Sequence, residues 1–170
     1  MLVVLLVARS FLVFGSPGLL AIGCGAIAWG ASGLVGPLLL ARGPNMAVTA
    51  HNGLVWLAAF CHFLGALLVL NQREADRPRR RLLLATGYLL AVGVSALWST
   101  LAMTGQAPRF FVEGVGGTPL RTHVLGTAVF LFAFAAAILW RVRQPKTSSF
   151  TRWYAMALLL IAVGLLGVLV

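Results

Sequence analysis

Five apolar runs, each about as long as a membrane-spanning helix, dominate this sequence. A helix that crosses the hydrocarbon core of a bilayer needs roughly 20 mostly apolar residues. The runs lie at 18–41, 50–70, 82–104, 122–140 and 154–170. A sixth segment, 1–14, is shorter and is interrupted by Arg9, so it fits an interfacial helix, a tilted short span or the end of a longer helix. The sequence predicts one all-α integral membrane domain, a bundle of about six transmembrane helices.

The composition agrees with a chain that is surrounded by lipid. Of its 170 residues, 61% are hydrophobic and only 9% are charged, whereas a soluble domain has about 25% charged residues. The formal net charge of +10 comes from basic residues that stand in short clusters between the apolar runs. Such clusters form no continuous basic groove, so we expect the lipid bilayer as a partner and not nucleic acid.

The basic clusters also predict which loops face the cytoplasm. The linker 71–81 contains five arginines, and the linker 141–153 contains four basic residues and no acidic one. Because short cytoplasmic loops are enriched in lysine and arginine, both linkers are expected inside. The linker 42–49 and the loop 105–121 then lie on the outer face.

The outer loop 105–121 has an unusual composition. Its four glycines and two prolines prevent a continuous helix. The stretch Phe110–Val112 is nevertheless too apolar for a solvated loop. We therefore expect this loop to fold back onto the ends of its neighbouring helices.

A cluster of polar residues is predicted on the same outer face, and these residues are the candidates for ligand binding or sensing. They are His51, Asn52, Arg109, Glu113, Thr118, Arg121 and His123. One interpretation is a salt bridge from Glu113 to one of the flanking arginines. The other is a polar pocket, covered by the loop, for a small ligand, a metal ion or a proton. In that pocket His51 and His123 could approach each other and share a metal ion.

Within the spans, His62 and three tryptophans are the candidate functional residues, because polar groups in a bilayer are costly. His62 follows His51 by eleven residues, which places it on the same helix face about 16 Å deeper. It could ligate haem or another cofactor, or donate a hydrogen bond to a neighbouring helix. Trp29, Trp56 and Trp98 could wall an apolar cavity below the loop or serve as packing residues.

Two series of small residues indicate where helices approach closely. Ala28, Ser32 and Gly36 recur every four residues in one span, and Gly87, Ala91, Ser95 and Ser99 do so in another. Such faces pack helices together within a bundle or between two copies of a chain. Packing within the bundle is the favoured interpretation, and a homodimer is the alternative.

The segment FFVEGVGGTPLR at 110–121 resembles part of the membrane-associated sensor (MASE-type) domains of bacterial and archaeal signalling proteins. In those domains an F-x-x-G-x-G-x-T-P-[FL]-[KR] segment joins two spans. The resemblance is best over 105–170 and weaker in the earlier part of the chain. It implies a sensory input module in a prokaryotic inner membrane, within a two-component or related signalling system. The expected output is a histidine kinase or a diguanylate cyclase, either further along a longer receptor chain or as a separate partner.

Other functions remain open from the residues alone. The histidines leave room for a small haem-binding or metal-binding redox protein, and a small transporter is a third hypothesis. An enzyme is not expected, since no paired carboxylates lie within the spans and no metalloprotease, phosphate-loop or serine-hydrolase motif is present.

Overall fold

The structure is a computed structural model that describes residues 2–71, 74–142 and 148–169. Parts of the two predicted cytoplasmic linkers, 72–73 and 143–147, lie outside the described residues. Residues 1 and 170 lie outside them as well.

The described residues form a helical bundle, which confirms the predicted all-α fold class. Its helices are α1 (Leu2–Phe14), α2 (Pro17–Leu40), α3 (Pro44–Leu70), α4 (Arg80–Met103), α5 (Pro119–Arg141) and α6 (Ser148–Leu169). All except α1 are long and apolar enough to cross a membrane. Helix α1 has 13 residues and spans about 20 Å, which is less than the roughly 30 Å hydrocarbon core.

Prolines mark the start of three of the long helices. Pro17, Pro44 and Pro119 each occupy the first turn of their helix. The first turn tolerates proline because its amide has no partner within the helix, and the fixed φ angle already suits a helix. Each proline is therefore the residue at which its helix begins.

Helix α3 lies at the centre of the bundle and packs on α2, α4 and α5, while α6 packs on α5. The contact between α2 and α3 is the most extensive. Their backbones meet at Gly18 and Gly65, where an added Cβ atom on Gly18 would lie 2.6 Å from the Gly65 carbonyl oxygen. Glycine at these positions therefore permits the close approach.

Both predicted small-residue faces are found in helix contacts. Ala28, Ser32 and Gly36 of α2 are buried, and Ala91, Ser95 and Ser99 of α4 are buried. The remaining member, Gly87, lies against the side chain of Leu20 on α2. The two faces contribute to packing within one chain, as the favoured interpretation held.

Arg80 ties the first helix to the 71–81 linker. Only 6% of this residue is exposed, although it lies in a cluster of arginines. Its Nη1 donates to the carbonyl oxygens of Leu12 (3.3 Å) and Val13 (2.7 Å) at the end of α1, and its Nε donates to Ala75 (2.9 Å). Its Nη2 lies 3.5 Å from a carboxylate oxygen of Glu74. One buried guanidinium therefore satisfies carbonyls from two segments of the chain.

Gly15, which joins α1 to α2, lies directly under this guanidinium. Its φ angle is +69°, a left-handed conformation that favours glycine. A Cβ atom at this position would clash with the Arg80 side chain. The Gly15 carbonyl also accepts a 2.8 Å hydrogen bond from the amide of Ala75, so the connection and the linker are fixed together.

We predict that Arg80→Ala destabilises the protein, because it leaves the carbonyls at the end of α1 without their charged donor. The expected loss is about 2 kcal/mol in the free energy of unfolding, the range found for hydrogen bonds to charged groups. Thermal unfolding in detergent micelles measures it. The control is Arg81→Ala, at an exposed neighbouring arginine, and equal unfolding midpoints for the two variants would contradict the assignment.

Candidate functional site

The loop 105–121, which is predicted on the outer face, contains a short β-hairpin. Strand β1 (Phe111–Val112) pairs antiparallel with β2 (Gly116–Gly117), with Phe111 opposite Gly117. The amide of Val115 donates to the carbonyl of Val112 at 3.1 Å and closes the turn. Gly114 has a φ angle of +81°, which a tight turn of this kind requires and which glycine adopts without strain. We refer to residues 109–118 as the outer hairpin.

The outer hairpin is fastened to the first turns of α3. Asn45 Oδ1 accepts hydrogen bonds from the amides of Phe110 (3.2 Å) and Phe111 (3.1 Å). Thr49 Oγ1 lies 3.3 Å from the Phe110 amide and donates to Asn45 Oδ1 at 3.3 Å. The loop therefore folds back onto a helix end as expected. Asn45 and Thr49 were not among the residues predicted from the sequence to bind or sense a ligand. Their polar side chains, one helical turn apart at the end of a span, were a signal that could have identified them.

Phe110 holds the outer hairpin in place between α3 and α4. It is only 2% exposed, and its ring centroid lies 6.4 Å from that of Trp98 on α4. Trp98 Nε1 in turn donates to the carbonyl of Thr49 at 3.2 Å. The indole of Trp98 lies over Gly53, where any side chain would clash with it. The outer hairpin, α3 and α4 therefore meet around one aromatic side chain.

Thr118 connects the outer hairpin to α5. Its hydroxyl accepts from the amide of Arg121 at 3.3 Å, which caps the start of α5. The same hydroxyl donates to the Arg109 carbonyl at 3.0 Å, and the Thr118 amide donates to the Phe110 carbonyl at 3.0 Å. Thr118 is thus a structural link between the hairpin and a helix.

Arg109 and Glu113 lie at the surface of the outer hairpin and line an open cleft of about 300 Å³. The other lining residues are Asn45, Met46, Ala102, Gly105, Ala107, Phe111 and Val112. The one ion pair among the described residues joins Arg80 and Glu74. The salt bridge from Glu113 to Arg109 or Arg121, one of the two interpretations of the sequence, is therefore not formed.

The structure does not bring His51 and His123 together. His51 faces α2, where its Nδ1 donates to the carbonyl of Ser32 at 3.0 Å. His123 is exposed, and its Nδ1 donates to Pro119 of its own helix at 2.8 Å. In the described parts of the chain no three His, Cys, Asp or Glu residues are grouped so that they could hold a metal ion. The two histidines bond to carbonyls of different helices, α2 and α5, which spacing along the sequence did not reveal.

Two buried nitrogen atoms at this end of the bundle have no hydrogen-bond partner. They are Asn52 Nδ2 on α3 and Arg121 Nε on α5, and no other buried side-chain nitrogen or oxygen of the described residues is in this state. A buried donor without an acceptor costs about 1–3 kcal/mol. The outer end is therefore the least completely satisfied part of the described structure.

His62 forms a polar link deep in the bundle. It is 3% exposed. Its Nδ1 donates to the carbonyl of Ala58 at 2.7 Å, and its Nε2 accepts from the hydroxyl of Tyr154 on α6 at 2.7 Å. The ring also contacts Phe132 of α5, with centroids 5.6 Å apart. His62 therefore accepts from a neighbouring helix instead of donating to it, and both ring nitrogens are occupied, so haem ligation would require breaking one of these bonds.

The three tryptophans make separate contacts and do not line the cleft. Trp29 packs edge-on against Phe132 of α5. Trp56 is partly exposed and donates to the hydroxyl of Thr127 at 3.1 Å, which links α3 to α5. Trp98 supports Phe110 as described above. The structure thus uses them for contacts between helices.

Comparison with known proteins gives one family. The family model of MASE3, described as a membrane-associated sensor domain, matches residues 1–169. No curated protein and no solved structure matches the chain.

We predict that Asn45→Leu loosens the outer hairpin, because it leaves the amides of Phe110 and Phe111 without their shared acceptor. Hydrogen–deuterium exchange should show a loss of protection at these two amides, while α3 beyond Thr49 stays protected. Asn45→Asp is the matched control, since a carboxylate still accepts both bonds and suits the start of a helix. Equal exchange in the two variants would show that Asn45 does not hold the hairpin.

Proposed function

We propose that this chain, which belongs to the MASE3 family of membrane-associated sensor domains, is the sensory input module of a signalling protein and receives its signal at the outer hairpin. The observation that carries this proposal is the position of the hairpin. It is bonded to α3 through Asn45 and Thr49, packed on α4 through Trp98, and joined to α5 through Thr118. A ligand that displaces this one loop acts on three helices.

The proposed orientation places the outer hairpin outside the cell and the two basic linkers in the cytoplasm of a prokaryote. Three arginines of the 71–81 linker, Arg77, Arg79 and Arg81, are exposed, which suits a cytoplasmic loop. Trp140 and Trp153 are exposed at the same end of the bundle. Tryptophans at that level fit the interfacial region of the bilayer.

Helix α3 provides a route from the outer hairpin to the other side of the bundle. It carries Asn45 and Thr49 near its start, and His62 about 26 Å from Asn45 at 1.5 Å per residue. His62 is bonded to Tyr154 near the start of α6, which follows the second basic linker. In this mechanism a shift of α3 changes the His62–Tyr154 contact and moves the cytoplasmic end of α6.

The output of the module is proposed to be a histidine kinase or a diguanylate cyclase, in the same polypeptide or as a partner. The module itself performs no chemical step. It shifts an equilibrium between two arrangements of its helices, which requires that the signal binds one arrangement better than the other.

A cysteine placed in the cleft tests both the orientation and the proposed function. In a background without Cys24 and Cys61, Val112→Cys lines the cleft, while the control Val115→Cys lies at the exposed tip of the hairpin outside it. In intact cells we expect a bulky, membrane-impermeant thiol reagent to label both. With the domain fused to a reporter kinase, only modification of Val112→Cys should change kinase output.

Two results would contradict the proposal in different ways. Absence of labelling at Val115→Cys in intact cells, with labelling after lysis, would reverse the orientation. Complete labelling of Val112→Cys with unchanged output would remove the outer hairpin from the signalling mechanism.

Tyr154→Phe should interrupt the route without affecting the site of input. It removes the hydroxyl that His62 Nε2 accepts from, so modification of Val112→Cys should proceed as before but change reporter output about fivefold less, as expected for a coupling of roughly 1 kcal/mol. The control is Tyr88→Phe, which removes a hydroxyl bonded to the Val4 carbonyl on α1. If Tyr88→Phe reduces the response as much as Tyr154→Phe, the His62–Tyr154 contact has no special role.

A further inference from the structure

The cleft beside the outer hairpin presents one positive and one negative side chain that do not neutralise each other. Arg109 and Glu113 both line it, and both are exposed. Neither forms an ion pair or a side-chain hydrogen bond within the described part of the chain. Charged groups of opposite sign in one cleft that remain unpaired are both available to a ligand.

Such a lining selects ligands by charge. A ligand with only a carboxylate gains from Arg109 but is repelled by Glu113, and a simple cation has the opposite difficulty. A ligand that carries both an oxyanion and an ammonium group can pair with both side chains. A ligand that lacks either group leaves one side chain facing no charge or a like charge, which disfavours its binding. The charges therefore favour a zwitterion.

Asn45 adds a donor to the same cleft. Its Oδ1 is already occupied by the amides of Phe110 and Phe111 and by the hydroxyl of Thr49. The group that remains for a ligand is the Nδ2 amide, which can only donate. A donor of this kind suits the oxyanion of a ligand and not its ammonium group.

The rest of the lining is apolar, and the cleft is small. Met46, Ala102, Ala107, Phe111 and Val112 form this part of the wall. A volume of about 300 Å³ lies at the lower limit of the range for small-molecule sites. The cleft therefore suits a small ligand with a short apolar part.

We propose that the cleft binds a small zwitterion through Arg109 and Glu113, with its apolar part against Met46 and Phe111. Two sources supply this chemistry: a free aliphatic amino acid, or the phosphoethanolamine head group of a lipid in the outer leaflet. The inference rests on the proposed function, since it names the ligand class of the same site.

Three compounds of similar shape test the charge requirement. The affinities are measured by isothermal titration calorimetry of the full chain in detergent. The compounds are L-leucine, leucinamide (without the carboxylate) and 4-methylpentanoate (without the ammonium group). Leucine should bind at least about tenfold more tightly than either analogue, as expected for the loss of one charge-assisted contact.

Substitution of each charged residue should remove one of the two contacts that leucine makes. Glu113→Gln should lower the affinity for leucine to that for 4-methylpentanoate, and Arg109→Gln should lower it to that for leucinamide. Arg42→Gln is the control, because Arg42 is an exposed arginine in the short connection between α2 and α3 and does not line the cleft. An equal loss of leucine affinity in Arg42→Gln would show that the effect comes from the overall charge of the protein and not from contacts in the cleft.

The lipid source has a separate result. If the head group is the ligand, leucine does not bind in detergent, and the thermal unfolding midpoint is higher in nanodiscs of phosphatidylethanolamine than of phosphatidylglycerol. Glu113→Gln should abolish that difference. Equal binding of all three compounds, or no binding together with no effect of the lipid, would overturn the zwitterion proposal.

Failure of this inference is distinguishable from failure of the proposed function. The thiol modification of Val112→Cys needs no ligand, so a change in output without zwitterion binding leaves the outer hairpin as the input and removes only the ligand class. Unchanged output after complete modification removes the proposed function itself.

Discussion

The need to satisfy every polar group without water governs this structure. In the hydrocarbon region a backbone amide or carbonyl must find its partner within the protein, and a helix does this along its whole length. The non-helical outer hairpin obeys the same constraint at the end of the bundle, since Asn45 and Thr49 of α3 accept from its buried amides. Arg80 and His62 are each buried with several bonds. Polar residues therefore mark the places where separate segments are joined.

The outer end satisfies this constraint least completely. Asn52 Nδ2 and Arg121 Nε are buried without partners. A buried donor without an acceptor costs about 1–3 kcal/mol, so a movement or a ligand that supplies acceptors to these two atoms would be favoured. This difference supports the proposal that the signal is received at this end and not at the well-satisfied contacts around His62 and Arg80.

Much of the fold could be predicted from the sequence, and the partners of its polar residues could not. Apolar length and composition predicted the helical membrane domain, and the FFVEGVGGTPLR segment predicted the sensor family, which the match over residues 1–169 confirms. Spacing along a helix shows which residues share a face but not which helix that face meets. The sequence therefore allowed His51 and His123 to approach each other, although they face different surroundings. The partnership of His62 with Tyr154, 92 residues away, had no local signal. A salt bridge from Glu113 to a flanking arginine was one of two interpretations because these residues are close in sequence, and among the described residues that pair is not formed.

The packing of the helices indicates how the joined segments can move. Helices α2 and α3 are the most extensively packed pair, with their backbones in contact at Gly18 and Gly65, and α5 and α6 form a second pair. Within the described residues, polar contacts cross from α3 to the second pair at successive depths: through the outer hairpin and Thr118, through Trp56 and Thr127, and through His62 and Tyr154. Backbone contact at glycine leaves no flexible side chain to absorb a displacement, so α2 and α3 should move as one body. In the proposed mechanism, release of the outermost contact would let this body pivot against the second pair about the deeper two contacts. The largest consequence of a small displacement of the outer hairpin would then fall on the orientation of α6.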